Sequence, residues 1–157
     1  MRFDTRTNLI ALALPAILMT GALISQYVGG LFPCEMCWWQ RYPHMAAILI
    51  ATTAFFIVAP GLRRIFIAAA AAGILVSGLI GIYHAGVEWK LWQGATTCSA
   101  HIDLNADFFR QNLAAPVVRC DEAQWRLFGI SLAGYNALIT IPVALYIFMR
   151  LLKNKSS

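Results

Sequence analysis

The run Ile65 to Tyr83, IFIAAAAAGILVSGLIGIY, contains no charged residue and no proline, and it decides the fold. At a rise of about 1.5 Å per residue, a helix of this length can cross the roughly 30 Å hydrocarbon core of a bilayer. Backbone polar groups find no water in that core, so an apolar run of this kind must be helical. The segment therefore predicts a membrane-spanning helix.

Three further apolar runs lie on either side of it, in a chain of 157 residues that is 60% hydrophobic and only 12% charged. Such a composition is too apolar for an ordinary soluble domain. The pattern predicts an all-α membrane protein, an antiparallel four-helix transmembrane bundle formed by one domain over residues 1–157. The predicted helices cover about 9–31, 44–59, 65–83 and 129–149. Two exported loops, at about 32–43 and 84–128, connect them.

The charges orient this bundle. Seven of the 12 Lys and Arg residues fall on the side of the two termini, with one acid, Asp4. They are Arg2, Arg6, Arg63, Arg64, Arg150, Lys153 and Lys155. Positive residues collect on the cytoplasmic side of a membrane protein, so both termini are expected in the cytoplasm. Arg2 and Arg6 also resemble the start of a signal peptide, but the apolar run after them is too long for a signal core, and we expect a retained helix.

All 4 cysteines, Cys34, Cys37, Cys98 and Cys120, fall in the two exported loops, and none is expected in a helix. An even number of exported cysteines indicates disulfides. The Cys-x-x-Cys pair, Cys34 and Cys37, closes a ring so small that it would remove little unfolded-chain entropy, and such pairs usually serve thiol exchange. Cys98 and Cys120 enclose a long polar stretch, and their pair could be a structural clasp or part of a docking arm.

Three residues could assist a redox-active pair. Arg41 follows Cys37 by four positions and shares its face if the second helix begins there; otherwise it is a lipid anchor at a helix end. A guanidinium in that place would favour the Cys37 thiolate. His84 ends the third apolar run on the same side, and His44 could face the same pocket or cap a turn. No metal site is expected, because only one cysteine pair is closely spaced.

Two motifs carry a family resemblance. They are Pro33-Cys34-Glu35-Met36-Cys37-Trp38-Trp39-Gln40-Arg41 and Cys120-Asp121-Glu122-Ala123-Gln124-Trp125-Arg126. With the order of helices and cysteine pairs, they resemble the DsbB family of bacterial membrane proteins that form disulfide bonds. The resemblance implies a quinone-linked oxidoreductase of the inner membrane with periplasmic cysteine loops. Its implied partners are a soluble thiol oxidase of the DsbA type and a membrane quinone, either ubiquinone or menaquinone.

The resemblance also implies a role for each site residue. The partner's thiolate would attack Cys98 and release Cys120, which would then exchange with Cys34. Cys37 would be the cysteine beside the quinone, with Arg41 one helical turn further on. The family's quinone site has a histidine in a place comparable to His84.

Two other interpretations remain. A relative of the vitamin K epoxide reductase type would use the same chemistry, but there the spaced cysteine pair usually precedes Cys-x-x-Cys, and here the order is reversed. A tetraspan scaffold or chaperone would use its disulfides as structural staples that are inert to quinone. The absence of charged residues near the centres of the spans weighs against an ion or proton transporter.

Overall fold

The structure is a computed structural model that describes residues 2–95 and 118–153. Four helices follow one another: α1 (Arg2–Tyr27), α2 (Glu35–Phe56), α3 (Pro60–Glu88) and α4 (Leu132–Lys153). A short hairpin of β1 (Arg126–Leu127) and β2 (Ile130–Ser131) precedes the last helix. In this described part of the chain, α1, α3 and α4 are long and apolar enough to cross a membrane. The predicted helical membrane fold is confirmed, with a small hairpin that the sequence did not predict.

The second helix begins nine residues before the predicted boundary at His44, and this difference matters most for the site. Pro43, which directly precedes that predicted boundary, lies inside α2. A proline removes one helical hydrogen bond, and neighbouring helices can compensate for that loss in a membrane protein. Most of the predicted loop 32–43 is therefore helical. Cys37 and Arg41 lie on the helix, contrary to the expectation that no cysteine would.

The third helix is longer than predicted and runs five residues beyond Tyr83. Its end is closed by a Schellman motif: Leu91 N–H donates to Gly86 O (2.9 Å) and Lys90 N–H donates to Val87 O (3.0 Å). Lys90 adopts the left-handed conformation that this motif requires, with φ 61°. The extension places His84 inside α3, one turn before its end, and it brings Glu88 into the bundle.

The other two helices also differ from their predicted bounds. α1 runs from Arg2 to Tyr27, whereas residues 9–31 were predicted, and its end is followed by Gly30 with φ 67°. α4 begins at Leu132, three residues after the predicted start, because the hairpin occupies the positions before it. Ser131 caps α4, since its Oγ accepts a hydrogen bond from Gly134 N at 3.2 Å.

Small residues allow α3 to lie close against α2 and α4. A Cβ at Gly73 would lie 3.1 Å from Pro43 O in α2, and a Cβ at Gly81 would lie 2.8 Å from Ala133 O in α4. Alanines dominate the core cluster, which includes Ala47, Ala51, Ala54, Ala70, Ala71 and Ala144. Small residues at helix contacts are typical of membrane bundles. α3 is thus the central helix, and α1 packs mainly against α2.

Candidate active site

The Cys-x-x-Cys pair lies at the start of α2. Cys34 is the N-cap residue, and its Sγ accepts a hydrogen bond from Cys37 N at 3.3 Å. Both cysteines are free thiols, and the Sγ of Cys34 lies 2.9 Å from the Sγ of Cys37. The hydrogen bond to Cys37 and burial raise the pKa of the Cys34 thiol far above its usual range. Cys34 therefore keeps its proton and donates a hydrogen bond to the Cys37 sulfur, which is the sulfur better able to carry negative charge.

His84 of α3 contacts this pair from the neighbouring helix. Its Nε2 lies 3.6 Å from Cys34 Sγ and 3.2 Å from the carbonyl oxygen of Cys120. Its Nδ1 lies 2.9 Å from Gln40 Nε2, which can only donate. Nδ1 therefore accepts in the neutral ring, and Nε2 carries the proton. In this tautomer His84 donates toward the Cys34 sulfur and the Cys120 carbonyl.

Glu88 lies one helical turn beyond His84 and is a site residue that the sequence analysis did not identify. It is buried, and its Oε1 lies 3.7 Å from His84 Nε2. Its other carboxylate oxygen, Oε2, has no hydrogen-bond partner among the residues that the structure describes. The spacing of four residues from His84 was the available signal, but the third helix was predicted to end before it.

Cys120 approaches the pair from the second loop. It is 1% exposed, is disulfide-bonded, and packs in one cluster with Cys34, Met36 and Val87. The contact of its carbonyl oxygen with His84 places its backbone beside the ring that also contacts Cys34. Cys98 lies in the stretch 96–117, outside the described residues. The structure thus brings together Cys34, Cys37, Cys120 and His84 of the predicted site.

Two polar residues hold the segment after Cys120 in place. The Gln124 side chain makes two hydrogen bonds to the Phe32 backbone, from Phe32 N at 3.0 Å and to Phe32 O at 2.6 Å. Asp121 pairs with Arg119 at 2.8 Å and with Lys90. The hydrogen bond from Arg119 holds the pKa of the Asp121 carboxyl well below its usual range, so these ion pairs persist at neutral pH. The second loop is therefore attached both to the first loop and to the end of α3.

Arg41 lies one turn beyond Cys37 on α2 and is only 8% exposed. Its guanidinium donates to Gln26 Oε1 at 2.6 Å and to Ala22 O at 3.3 Å, both on α1. It also lies over the ring of Trp38, 5.0 Å from the centroid. These contacts fix the side chain between α1 and α2, on the face that carries Cys37.

A buried polar network extends from His84 into the bundle. Gln40 Oε1 accepts from Asn136 Nδ2 at 2.9 Å, and Asn136 Oδ1 lies 3.0 Å from His44 Nε2. Ser77 Oγ donates to Gln40 O and also lies 2.9 Å from His44 Nε2. Gln40, Ser77 and Asn136 were not identified from the sequence. The available signal was their polarity in otherwise apolar helices, where buried polar residues are costly and mark functional sites.

One cavity of about 390 Å³ connects these features. Its polar lining residues include Cys34, Cys37, Arg41, His44, His84, Glu88 and Asn136. Its other lining residues include apolar side chains of α1 and α4, among them Ile17, Leu18, Leu132 and Ala133. A cavity that combines polar groups with apolar walls suits an amphiphilic ring compound.

The same site contains the one group of metal-ligand side chains found in the described part of the chain. The ligand atoms of Cys34, Cys37 and His84 lie within 4.8 Å of one another. Two sulfurs and an imidazole suit a soft metal ion, although no metal site was expected from the sequence.

Comparison with known proteins identifies the family. The family described as "Disulfide bond formation protein DsbB" matches residues 4–150. The chain belongs to the DsbB family. It is therefore a helical membrane protein that takes part in disulfide bond formation. Membership of the family supports a role as a disulfide oxidoreductase.

Individual relatives cover most of the chain. It is 29% identical over 144 residues to Disulfide bond formation protein B of Polaromonas sp. (strain JS666), which covers 87% of this chain and 83% of that protein. It is 30% identical over 148 residues to Disulfide bond formation protein B 2 of Pseudomonas aeruginosa, covering 85% of this chain and 82% of the relative. An uncharacterized protein of Rickettsia prowazekii is 26% identical over 155 residues, 96% of this chain and 89% of its own length. No solved structure matches.

Proposed function

We propose that this protein reoxidises a soluble periplasmic thiol oxidase of the DsbA type and passes the electrons to a membrane quinone. The observation that carries the proposal is the position of the Cys34 and Cys37 thiols, which lie 2.9 Å apart at the wall of the cavity between the helices. A folded protein is too large to enter a cavity of about 390 Å³, whereas a lipid-soluble ring compound is not. The pair is therefore suited to connect thiol chemistry to the bilayer.

The electron path begins at the second loop. The partner's thiolate attacks Cys98 of the Cys98–Cys120 disulfide, which forms a mixed disulfide and releases Cys120 as a thiolate. The partner's second thiolate then resolves the mixed disulfide, which leaves the partner oxidised and releases Cys98 as a thiolate. Cys120 attacks Cys34 of the oxidised Cys34–Cys37 pair and releases the Cys37 thiolate. Cys98 then resolves the Cys120–Cys34 bond, which restores its own disulfide and leaves Cys34 and Cys37 reduced. Two electrons thus reach the pair beside the cavity.

The chain's own residues support this exchange. His84 contacts both the Cys34 sulfur and the Cys120 carbonyl, so it aligns the two segments that must exchange. Its Nε2–H steadies negative charge on the Cys34 sulfur when Cys34 is the leaving group. The Gln124 contact with Phe32 and the Asp121 ion pairs keep Cys120 close while this happens.

The cavity residues fit a quinone. A bound quinone would accept two electrons and two protons as Cys34 and Cys37 return to a disulfide. Cys37 and Arg41 line the cavity on one face of α2, where the guanidinium favours a thiolate and a negatively charged oxygen. His84 also lines the cavity. We assign Cys37, Arg41 and His84 to the quinone site on this basis.

The test is anaerobic mixing of the purified, reduced protein with ubiquinone or menaquinone while quinone absorbance is followed. We expect one quinone to be reduced per Cys34–Cys37 pair oxidised. The matched control is the variant in which both residues are replaced by serine, which keeps the cavity but has no dithiol there. A protein whose reduced thiols leave both quinones unchanged would be a scaffold with structural disulfides, and the proposal would be wrong.

We also propose that the protein lies in the bacterial inner membrane with both termini in the cytoplasm and both cysteine loops in the periplasm. The positive charge on the terminal side supports this orientation. After reduction, an impermeant thiol reagent added to spheroplasts is expected to label Cys98 and Cys120. A reporter fused after Lys155 is expected to behave as cytoplasmic. An exported reporter would reverse the orientation and place the thiol chemistry in a reducing compartment.

A further inference from the structure

One nitrogen of His44, a residue that lines the cavity, has no hydrogen-bond partner in the described part of the chain. His44 is 4% exposed and lines the cavity. Its Nδ1 is buried and has no hydrogen-bond partner within residues 2–95 and 118–153. Buried polar atoms are nearly always paired in native proteins, so an unpaired one beside a cavity indicates a ligand atom as its partner.

The neighbouring side chains determine what Nδ1 can do. Asn136 Nδ2 donates to Gln40 Oε1 at 2.9 Å and to the Ser77 carbonyl at 3.1 Å, and this orientation turns Asn136 Oδ1 toward His44. An amide oxygen only accepts, so the His44 Nε2 that lies 3.0 Å from it carries the proton. The neutral ring then presents a bare lone pair at Nδ1. His44, which lines the cavity, therefore has a free acceptor.

We propose that His44 Nδ1 accepts a hydrogen bond from a ring hydroxyl of the reduced quinone, so that the site binds hydroquinone in preference to quinone. This inference rests on the proposed quinone function. A quinone oxygen is a carbonyl with lone pairs only, and it gains nothing from a second lone pair. A hydroquinone oxygen carries the proton that Nδ1 needs. The acceptor thus stabilises the product of quinone reduction selectively.

The position of His44 is consistent with this role. Cys37, Arg41 and His44 occupy positions i, i+4 and i+7 of α2, and all three line the cavity. At about 1.5 Å per residue, His44 lies roughly 10 Å further along the helix axis than Cys37. The electron donor and the hydroxyl acceptor therefore lie at different depths of one cavity. The sequence left open whether His44 faces the pocket or caps a turn, and the structure places it in the pocket.

The experiment measures binding of a short-chain ubiquinone and its ubiquinol by calorimetry, in the full-length chain with Cys34 and Cys37 replaced by serine to prevent electron transfer. We expect this parent to bind ubiquinol about tenfold more tightly than ubiquinone, a difference of about 1.4 kcal/mol and within the range of one hydrogen bond. His44→Gln can keep the N–H contact with Asn136 but has no acceptor at the Nδ1 position. It is expected to lose the tenfold preference through weaker ubiquinol binding.

His44→Asn is the matched variant, because its amide oxygen can replace Nδ1 while the contact with Asn136 is lost. It is expected to keep most of the preference, whereas a purely structural role for His44 predicts the opposite order of the two variants. Equal affinity of the parent for both forms would overturn the inference without affecting quinone reduction by the wild-type protein. A parent that binds neither form would overturn the quinone site itself.

Discussion

Replacing Cys98 with alanine is expected to abolish oxidation of the soluble thiol partner while leaving quinone reduction by Cys34 and Cys37 intact. Cys98 is the proposed point of attack, so without it the partner has no disulfide to open. The Cys34–Cys37 pair needs no loop cysteine to give electrons to quinone. The measurement follows the two half-reactions separately, with the reduced partner in one and a small dithiol in the other.

The matched variant is Cys37→Ser, which is expected to lose quinone reduction with either reductant. Cys37 is the thiol that closes the disulfide with Cys34, so its loss removes the step that both reductants share. The two variants should therefore differ only in the reaction with the small dithiol. If Cys98→Ala also failed with the small dithiol, the loop cysteine would be needed for structure, and the proposed division between the two pairs would be wrong.

The local part of this site could be predicted from the sequence. The spacing of Cys37 and Arg41 indicated one helix face, conditional on a helix that begins at the cysteines, and α2 meets that condition. His84 was named on its position at the exported end of the third apolar run. The positions of these residues could be predicted because helical periodicity and the length of an apolar run are local properties of the chain.

The network behind these residues depends on contacts between distant parts of the chain. Asn136 meets Gln40 across 96 positions, and Gln124 meets Phe32 across 92. No local pattern encodes such pairs, because they depend on which faces of α2, α3 and α4 meet. The lengths of α2 and α3 were also underestimated, since Pro43 and the polar residues after Tyr83 were read as helix ends. Membrane helices tolerate both where neighbouring helices satisfy their polar groups.

α2 is less apolar than the three helices that are apolar enough to cross a membrane, and the same contacts explain this difference. Its buried polar residues Gln40, Arg41 and His44 face α1, α3 and α4, where each finds a polar partner. Polar side chains are tolerated within a bundle when they are paired in its interior. The helix that carries the Cys-x-x-Cys pair is thus also the helix that brings polar groups to the cavity.

Replacing Arg41 with alanine is expected to lower the efficiency of quinone reduction by roughly tenfold to 150-fold, the equivalent of one charge-assisted hydrogen bond of about 1.5 to 3 kcal/mol. Arg41→Lys should keep part of the function, because lysine retains the charge but loses the planar set of donors. The apparent Michaelis constant for quinone and the turnover number are measured in membranes in which insertion of each variant has been checked.

The contacts of Arg41 with α1 supply the control that separates chemistry from anchoring. Gln26→Leu removes the hydrogen-bond acceptor that lies 2.6 Å from the guanidinium but leaves the charge beside Cys37. If Arg41 acts on the Cys37 thiolate and the quinone, Gln26→Leu should change the kinetics much less than Arg41→Ala. Equal losses in the two variants would mean that Arg41 acts by holding α1 against α2, and His84, which also lines the cavity, would then remain as the candidate side chain at the quinone.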